Sequence, residues 1–249
     1  MKYWLIVGIK DRKFEASIAE MIRSFEVPPE AAVGVLVVET GEAVGCWKPD
    51  ESAVVRVQNI RGVVAFLNTA LLWLKENAGP DDWFVRIDSD DYYGPKYLLE
   101  VDASRRAGAV CSGIASCFVR TEDDHLYFCK GLNPARAGVP GGTLAGNIEV
   151  AEFFRSEQAW GEDSNWCQDM DEIGWTVMGR HHAHYAMCRW SGHIHTFPVR
   201  GHELPHVWLC NAQDMGSWDE SVVLEGKTEG TPVEPSPELA LAHFHRTLV

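Results

Sequence analysis

Apolar residues in this chain come in two rhythms, and their alternation predicts the architecture. Continuous apolar runs of strand length occur at Tyr3–Ile9, Val33–Val38, Ala53–Val57 and Trp83–Ile87, the pattern of strands buried on both faces. Between them the period changes to that of a helix. Phe14, Ile18, Met21, Ile22 and Phe25 share one helical face, as do Val63, Phe66, Leu67, Ala70, Leu71 and Leu74. Pro28-Pro29 stops the first helix. Asn77-Ala78-Gly79-Pro80 closes the second, with a glycine placed for a left-handed C-terminal cap. Strand–helix–strand alternation over the first hundred residues predicts crossover units, a mostly parallel central sheet and a three-layer α/β sandwich.

The second half is less regular. Ala109–Arg120 and His125–Lys130 read as strands joined by the acidic turn Thr121-Glu122-Asp123-Asp124, a hairpin. A Gly- and Pro-rich loop runs from 131 to 142. Thr143–Phe154 begins as a strand and continues as a helix. Asp163–Ile173 places Trp166, Cys167, Met170 and Ile173 on one helical face, and Gly174 ends it; Trp175–Met178 is a short strand. A polar, proline-rich linker over 228–237 precedes a last short helix, Glu238–Arg246.

Composition narrows the function classes. The 249 residues suffice for one large α/β domain, and 46% hydrophobic residues is ordinary for a globular chain. A net charge of -14 argues against a general nucleic-acid binder or an anionic-membrane binder, both of which need a basic face. The seven cysteines form no CxxC pair and read as reduced thiols. The N-terminal apolar run is too short for a signal peptide, and no stretch reaches the length of a membrane span. A soluble cytoplasmic protein is expected.

The predicted strands end in polar groups: Lys10-Asp11-Arg12 after the first, Glu39 after the second, Asp88-Ser89-Asp90-Asp91 after the fourth. In a parallel sheet these ends converge on one edge, where α/β folds bind ligands. Three carboxylates in four residues repel one another unless a cation sits among them, and oxygen-only ligands suit Mg²⁺ or Mn²⁺. The same residues also read as a polar turn leading into a helix opened by Pro95 at its first position. Asp163 is similarly two-sided, a good helix N-cap and a candidate base. Five histidines fall between His181 and His195. His181, His182 and His184 read as a polar strand end. Trp160 and Gly141-Gly142 stand where an acceptor would approach, although with ten tryptophans in the chain a core role is the better reading of Trp160.

Three stretches, taken in order, resemble the family 2 glycosyltransferases of the GT-A fold. They are WFVRIDSDDYYGPKYL behind a helix carrying Asn68 and Ala70, GEDSNWCQDMDEIGW at 161–175, and YAMCRWSGHIHTF at 185–197. The resemblance implies a metal-dependent, inverting transfer from a nucleoside-diphosphate sugar. By it, Asp90 is the direct ligand of Mn²⁺ or Mg²⁺, with Asp88 or Asp91 completing the motif through the ribose, water or the metal. Glu39 stands where the family commonly has an aspartate that contacts the base, and Asp11 and Arg12 stand at a further nucleotide-contact position. Asp163 is the general base, with Glu162 beside it. His193 or His195 completes the metal or pyrophosphate site, and Arg189 pairs with the diphosphate through its fork. Residues 1–226 then form the catalytic domain, with a nucleotide-binding half over about 1–108 and an acceptor half over about 109–226; 227–249 is a linker and helix. The acceptor is a glycan, a lipid-linked sugar, a protein or a modified nucleobase. Competing readings are a two-metal hydrolase using the aspartates and histidines, a nucleotidyltransferase, and a non-catalytic nucleotide-sugar binder. GIKDRKFE after the first strand has one glycine where a nucleotidyltransferase would carry a glycine-rich loop.

Overall fold

The computed structural model describes residues 1–9, 15–39, 52–56, 62–130, 139–155, 162–188 and 212–232. The predicted alternation is present: β1 (Lys2–Ile9), α1 (Glu15–Arg23), β2 (Ala32–Glu39), β3 (Ser52–Arg56), α2 (Val63–Asn77) and β4 (Trp83–Asp88). Next come β5 (Tyr92–Tyr93), α3 (Tyr97–Arg106), β6 (Cys111–Ile114), β7 (Cys117–Arg120) and β8 (His125–Cys129). A single 3-10 turn, Gly141–Thr143, precedes β9 (Ala145–Asn147). The described chain then forms α4 (Glu162–Glu172), β10 (Met178–Arg180), β11 (Tyr185–Cys188), β12 (Ala212–Ser217), α5 (Glu220–Glu225) and β13 (Thr231–Pro232).

Seven strands make the central sheet in the order β10-β6-β9-β4-β1-β2-β3. All neighbours are parallel except at β9, which runs antiparallel to β4 and β6. The period-2 geometry of β1 divides its side chains between two cores. Tyr3, Leu5 and Val7 pack with Ile18 and Phe25 on the α1 side and with Tyr97, Leu98 and Val101 of α3. Trp4 and Ile6 pack on the opposite face with Leu67, Leu71 and Leu74 of α2 and Trp166, Cys167 and Met170 of α4. The molecule is therefore a mixed α/β, three-layer structure with a mostly parallel central sheet. Leu67, Ala70, Leu71 and Leu74 have no exposure, so truncating one of these leucines to alanine costs about 2–5 kcal/mol. The predicted β7–β8 hairpin lies in a second, six-stranded sheet, β13-β12-β8-β7-β11-β5, which joins the α1/α3 core.

Several local expectations change. Ala109–Arg120 is two strands, divided between β6 and β7 into different sheets. The stretch after β9 makes no helix. Asn147 accepts Glu149 N–H at 3.0 Å in one turn, and the chain is then held by Asn68 of α2. That amide donates to Phe154 O and accepts Phe154 N–H, both at 2.7 Å. One side chain thus supplies the backbone partners a helix would have supplied. The strand expected at 175–178 begins instead at Met178. Gly174 takes the left-handed conformation expected of it, with φ 93°. Gly79 does not: Ala78 is extended, and Gly79 N–H bonds the Asp82 carboxylate at 2.9 Å. Pro95 lies before the cap residue Lys96 of α3 rather than at its first position. Thr231–Pro232, inside the expected linker, pairs with β12.

Candidate active site

The site is built first by register. In the parallel sheet Gly8 pairs with Asp88 and Ile9 with Glu39, so β1, β2 and β4 end on one edge. Glu39 and Asp88 close strands on either side of β1, about 10 Å apart by two interstrand spacings. The Glu39 backbone is placed there; its side chain, and all of Asp11 and Arg12, lie outside the described residues.

The acidic turn at the end of β4 is held from several directions. Arg86 is 4% exposed and grips Asp88 with two bonds, Nε to Oδ1 at 2.8 Å and Nη2 to Oδ2 at 3.1 Å. Period 2 puts both side chains on one face of β4. Asp88 N–H donates to the Tyr93 hydroxyl at 2.8 Å, and that hydroxyl donates to Gly142 O at 2.9 Å. Asp91 is held from a different strand. Its Oδ2 accepts the Tyr185 hydroxyl at 2.8 Å and its Oδ1 accepts Cys188 N–H at 2.9 Å, tying the turn to the end of β11.

Tyr93, Tyr97 and Tyr185 form a buried aromatic group beneath the turn, with ring centroids 4.8 to 6.5 Å apart. Burial, helped by the Asp91 charge, pushes the hydroxyls of Tyr93 and Tyr185 well above their usual range. Both therefore remain protonated donors.

The 3-10 turn Gly141–Thr143 presses on this arrangement, and two glycines make the approach possible. A Cβ at Gly142 would stand 2.7 Å from the Tyr93 hydroxyl, 3.1 Å from Asp91 Oδ2 and 3.2 Å from Asp88 Cγ. One at Gly141 would stand 2.4 Å from Arg86 Nη1. Side chains here would displace the carboxylates.

Asp90 lines a cavity of about 490 Å³ together with Ser89, Asp91, Tyr92 and Tyr93, and the cavity continues to Ser17, Glu20 and Met21 of α1, to Cys188 and to Glu220. Asp163 lies in the first turn of α4, its Oδ1 accepting Ser164 N–H at 2.8 Å. The buried face of α4 packs with Val139 and Leu144, which flank the Gly141–Thr143 turn. Glu162 opens the same helix, and its side chain is not described. Arg189, His193 and His195 lie outside the described residues, as does Trp160; Cys188, tied to Asp91, immediately precedes Arg189.

The earlier histidines take up packing. His181 and His182 stack at 4.3 Å, His182 lies against Phe118 and Phe128, and its Nε2 is 3.0 Å from Gly226 O. Arg86, Tyr93 and Tyr185 were not singled out from the sequence. Arg86 left a readable trace, a cation in an apolar strand two residues before Asp88. The tyrosines left none.

Among the described residues no three His, Cys, Asp or Glu side chains converge on a point that could hold a cation. Mg²⁺ and Mn²⁺ at phosphate sites are held by one or two carboxylates, the substrate supplying the rest. A turn whose Asp90 and Asp91 line a cavity, with Gly142 packed too closely on Asp88 and Asp91 to admit a Cβ, fits a cation of that kind.

The fold and this edge define a mixed α/β protein with an acidic turn at the carboxyl ends of its parallel strands. Neither a protein-family model nor a curated protein matches the sequence. Among solved structures, S. aureus TarS matches 76% of this chain and 37% of its own, with 15% identity and a TM-score of 0.46. S. aureus TarS 1-349 in complex with UDP matches 76% of this chain and 60% of its own, with 15% identity and a TM-score of 0.48. The mannosyltransferase PcManGT from Pyrobaculum calidifontis, in complex with GDP-Man and Mn²⁺, matches 83% of this chain and 59% of its own, with 17% identity and a TM-score of 0.47. The chain thus spans between 37% and 60% of the length of these structures. Among the described residues no helix is long and apolar enough to cross a membrane.

Proposed function

We propose that this chain is a GT-A glycosyltransferase of the family 2 type, transferring a sugar from a nucleoside diphosphate to an acceptor hydroxyl with inversion. One observation carries the reading. The Asp88–Asp91 turn closes β4 at the carboxyl edge of the sheet, with Asp88 and Asp91 held by neighbours and Asp90 and Asp91 both lining a cavity.

In this reading Asp90 holds Mn²⁺ or Mg²⁺ together with the donor's diphosphate, and Asp88, fixed by Arg86, faces the ribose. When bound, the cation offsets the charge that builds on the leaving diphosphate. Glu39, Asp11 and Arg12 serve the base and ribose along the same edge. Arg189 and one of His193 and His195 serve the pyrophosphate and metal. Asp163 takes the proton from the acceptor hydroxyl as its oxygen bonds the anomeric carbon and the bond to the diphosphate breaks on the opposite face. The acceptor is a glycan, a lipid-linked sugar, a protein or a modified nucleobase. The nucleotide half, the acceptor half and the C-terminal tail divide near 108 and 226, as the sequence suggests.

The test is a panel of UDP-, GDP- and TDP-sugars with Mn²⁺, scored by release of nucleoside diphosphate and by a shift in melting temperature. Asp90→Asn removes metal-dependent nucleotide binding. Asp163→Asn keeps that binding and lowers transfer by about 10²-fold or more, the range of a lost general base. A panel with neither release nor stabilisation overturns the reading; full activity in Asp163→Asn overturns the assignment of the base.

A further inference from the structure

Arg180 ends β10 on the outer strand of the central sheet, and it is 7% exposed. Its Nη2 donates to Thr143 O and, at 3.1 Å, to the Tyr97 hydroxyl, and the guanidinium lies 5.0 Å from the Tyr97 ring centre. Its Nε and Nη1 have no hydrogen-bond partner among the described residues. A buried cation with unmet donors is a liability for stability, and an apolar residue of the same length would avoid it. Its retention at this point therefore calls for a reason outside the ledger of folding.

The reason lies in what Thr143 belongs to. Thr143 closes the 3-10 turn: its N–H and its hydroxyl both donate to Pro140 O, and the hydroxyl also receives Ile114 N–H from β6. One residue earlier, Gly142 lies against Asp88 and Asp91 and accepts the Tyr93 hydroxyl. Two buried arginines thus bracket the turn. Arg86 holds a carboxylate and packs on Gly141, while Arg180 holds the Thr143 carbonyl from the other side. Asp88 and Asp91 both act electrostatically on Tyr97, the ring on which Arg180 rests.

We propose that Arg180 is a positioning residue for the acidic turn: it fixes the Gly141–Thr143 backbone against Asp88 and Asp91. The proposal rests on the reading that this turn holds a metal and a nucleoside diphosphate. Arg180 does not touch either. Outer partners of this kind, when removed, typically weaken metal affinity by about 10- to 100-fold.

The experiment uses the full chain and measures Mn²⁺ affinity by paramagnetic resonance, with and without UDP or GDP, alongside the melting temperature. Arg180→Met is expected to melt no lower than the wild type and to bind Mn²⁺ about tenfold or more weakly. Arg180→Lys, which keeps the charge, is expected to fall between the two. Wild-type Mn²⁺ affinity in folded Arg180→Met overturns the proposal, as does a loss explained entirely by a lower melting temperature. If Arg180→Met does not fold, Arg180→Lys decides: weakened Mn²⁺ binding in a folded protein supports the role, and unchanged affinity overturns it. A wild type that binds neither Mn²⁺ nor nucleotide overturns the functional reading and this proposal with it, a result distinguishable from failure of the Arg180 variants alone.

Discussion

Two clusters of side chains with metal-binding chemistry stand out in this chain, and the structure treats them in opposite ways. The carboxylates of Asp88–Asp91 close a strand at the carboxyl edge of the sheet, Asp88 and Asp91 gripped by neighbours and Asp90 and Asp91 lining a cavity. The histidines at 181–184 span the short connection between β10 and β11 and are absorbed into packing. His182 is wedged between Phe118 and Phe128. His184 is buried with a left-handed φ of 62° and holds Gly94 N–H and Val223 O through its backbone. The lesson is that ligand chemistry alone does not make a site. What distinguishes the acidic turn is a set of outer contacts that fix Asp88 and Asp91 beside a cavity, the kind of support that metal ligands need. His181 stacks on His182, whose ring packs on Phe118 and Phe128.

The largest effect that would sharpen this contrast is at Asp91. Asp91→Ala leaves the buried Tyr185 hydroxyl and Cys188 N–H without their acceptor, at a cost of about 2–4 kcal/mol. It also frees the turn from β11. Both the denaturation midpoint and metal-dependent nucleotide binding should fall together. If stability drops and binding survives, Asp91 serves folding alone and the turn is less dependent on its tether than the geometry suggests.

Gly142→Ala comes next. Its new methyl would press on the Tyr93 hydroxyl, Asp91 and Asp88 at 2.7 to 3.2 Å, an overpacking worth about 1–3 kcal/mol. Because the displaced atoms are the carboxylates themselves, nucleotide-dependent activity should fall about 10-fold or more, as for other disturbed supports of a metal site. Gly79→Ala is the control, since its nearest neighbours begin at 3.6 Å. Equal activity in the two variants would break the link between the glycine turn and the carboxylates.

The sequence made β1, β2, β4 and α2 legible because buried strands and amphipathic helices write their periods directly into the chain. It also made the acidic turn legible as an edge feature, since strand order and polarity place it there. Less could be read where a contact is non-local. Asn68 serving the backbone of Phe154 replaced a predicted helix, and no local period announces an amide clamp reaching across 86 positions. Gly141 and Gly142 were legible as a loop on the acceptor's approach but not as a support of the acidic turn, because that role depends on Arg86, Asp88 and Asp91 arriving from β4. Arg86 is the intermediate case. A charge inside an apolar strand, sharing a face with an acid two residues on, carries its own signal of an ion pair.

The smallest effect tests the other half of the comparison, the claim that the described histidines are packing. Burial lowers the proton affinity of His182 and His184, for His182 against the pull of the Gly226 carbonyl and with His181 adding to the burial effect. For His184, Glu100 and Glu26 work against the burial and Lys96 and His181 add to it. A histidine held below its ordinary value of about 6.5 contributes its stability above that value, where folded and unfolded rings are both neutral. That stability is lost as pH falls below 6.5 toward the folded value, because the unfolded ring protonates first. Replacing both rings, His182→Phe to keep the aromatic packing and His184→Asn to tolerate the left-handed backbone, should therefore flatten part of the decline in melting temperature between pH 6.5 and 5. Above pH 7.5 the double variant should lose only about 1–2 kcal/mol and keep nucleotide-dependent activity within about twofold, since neither ring reaches the acidic turn. Parallel melting curves for variant and wild type across that range would show that these rings do not titrate with folding. A large loss of metal-dependent binding at pH 8 would place them in the site and erase the contrast with Asp88–Asp91.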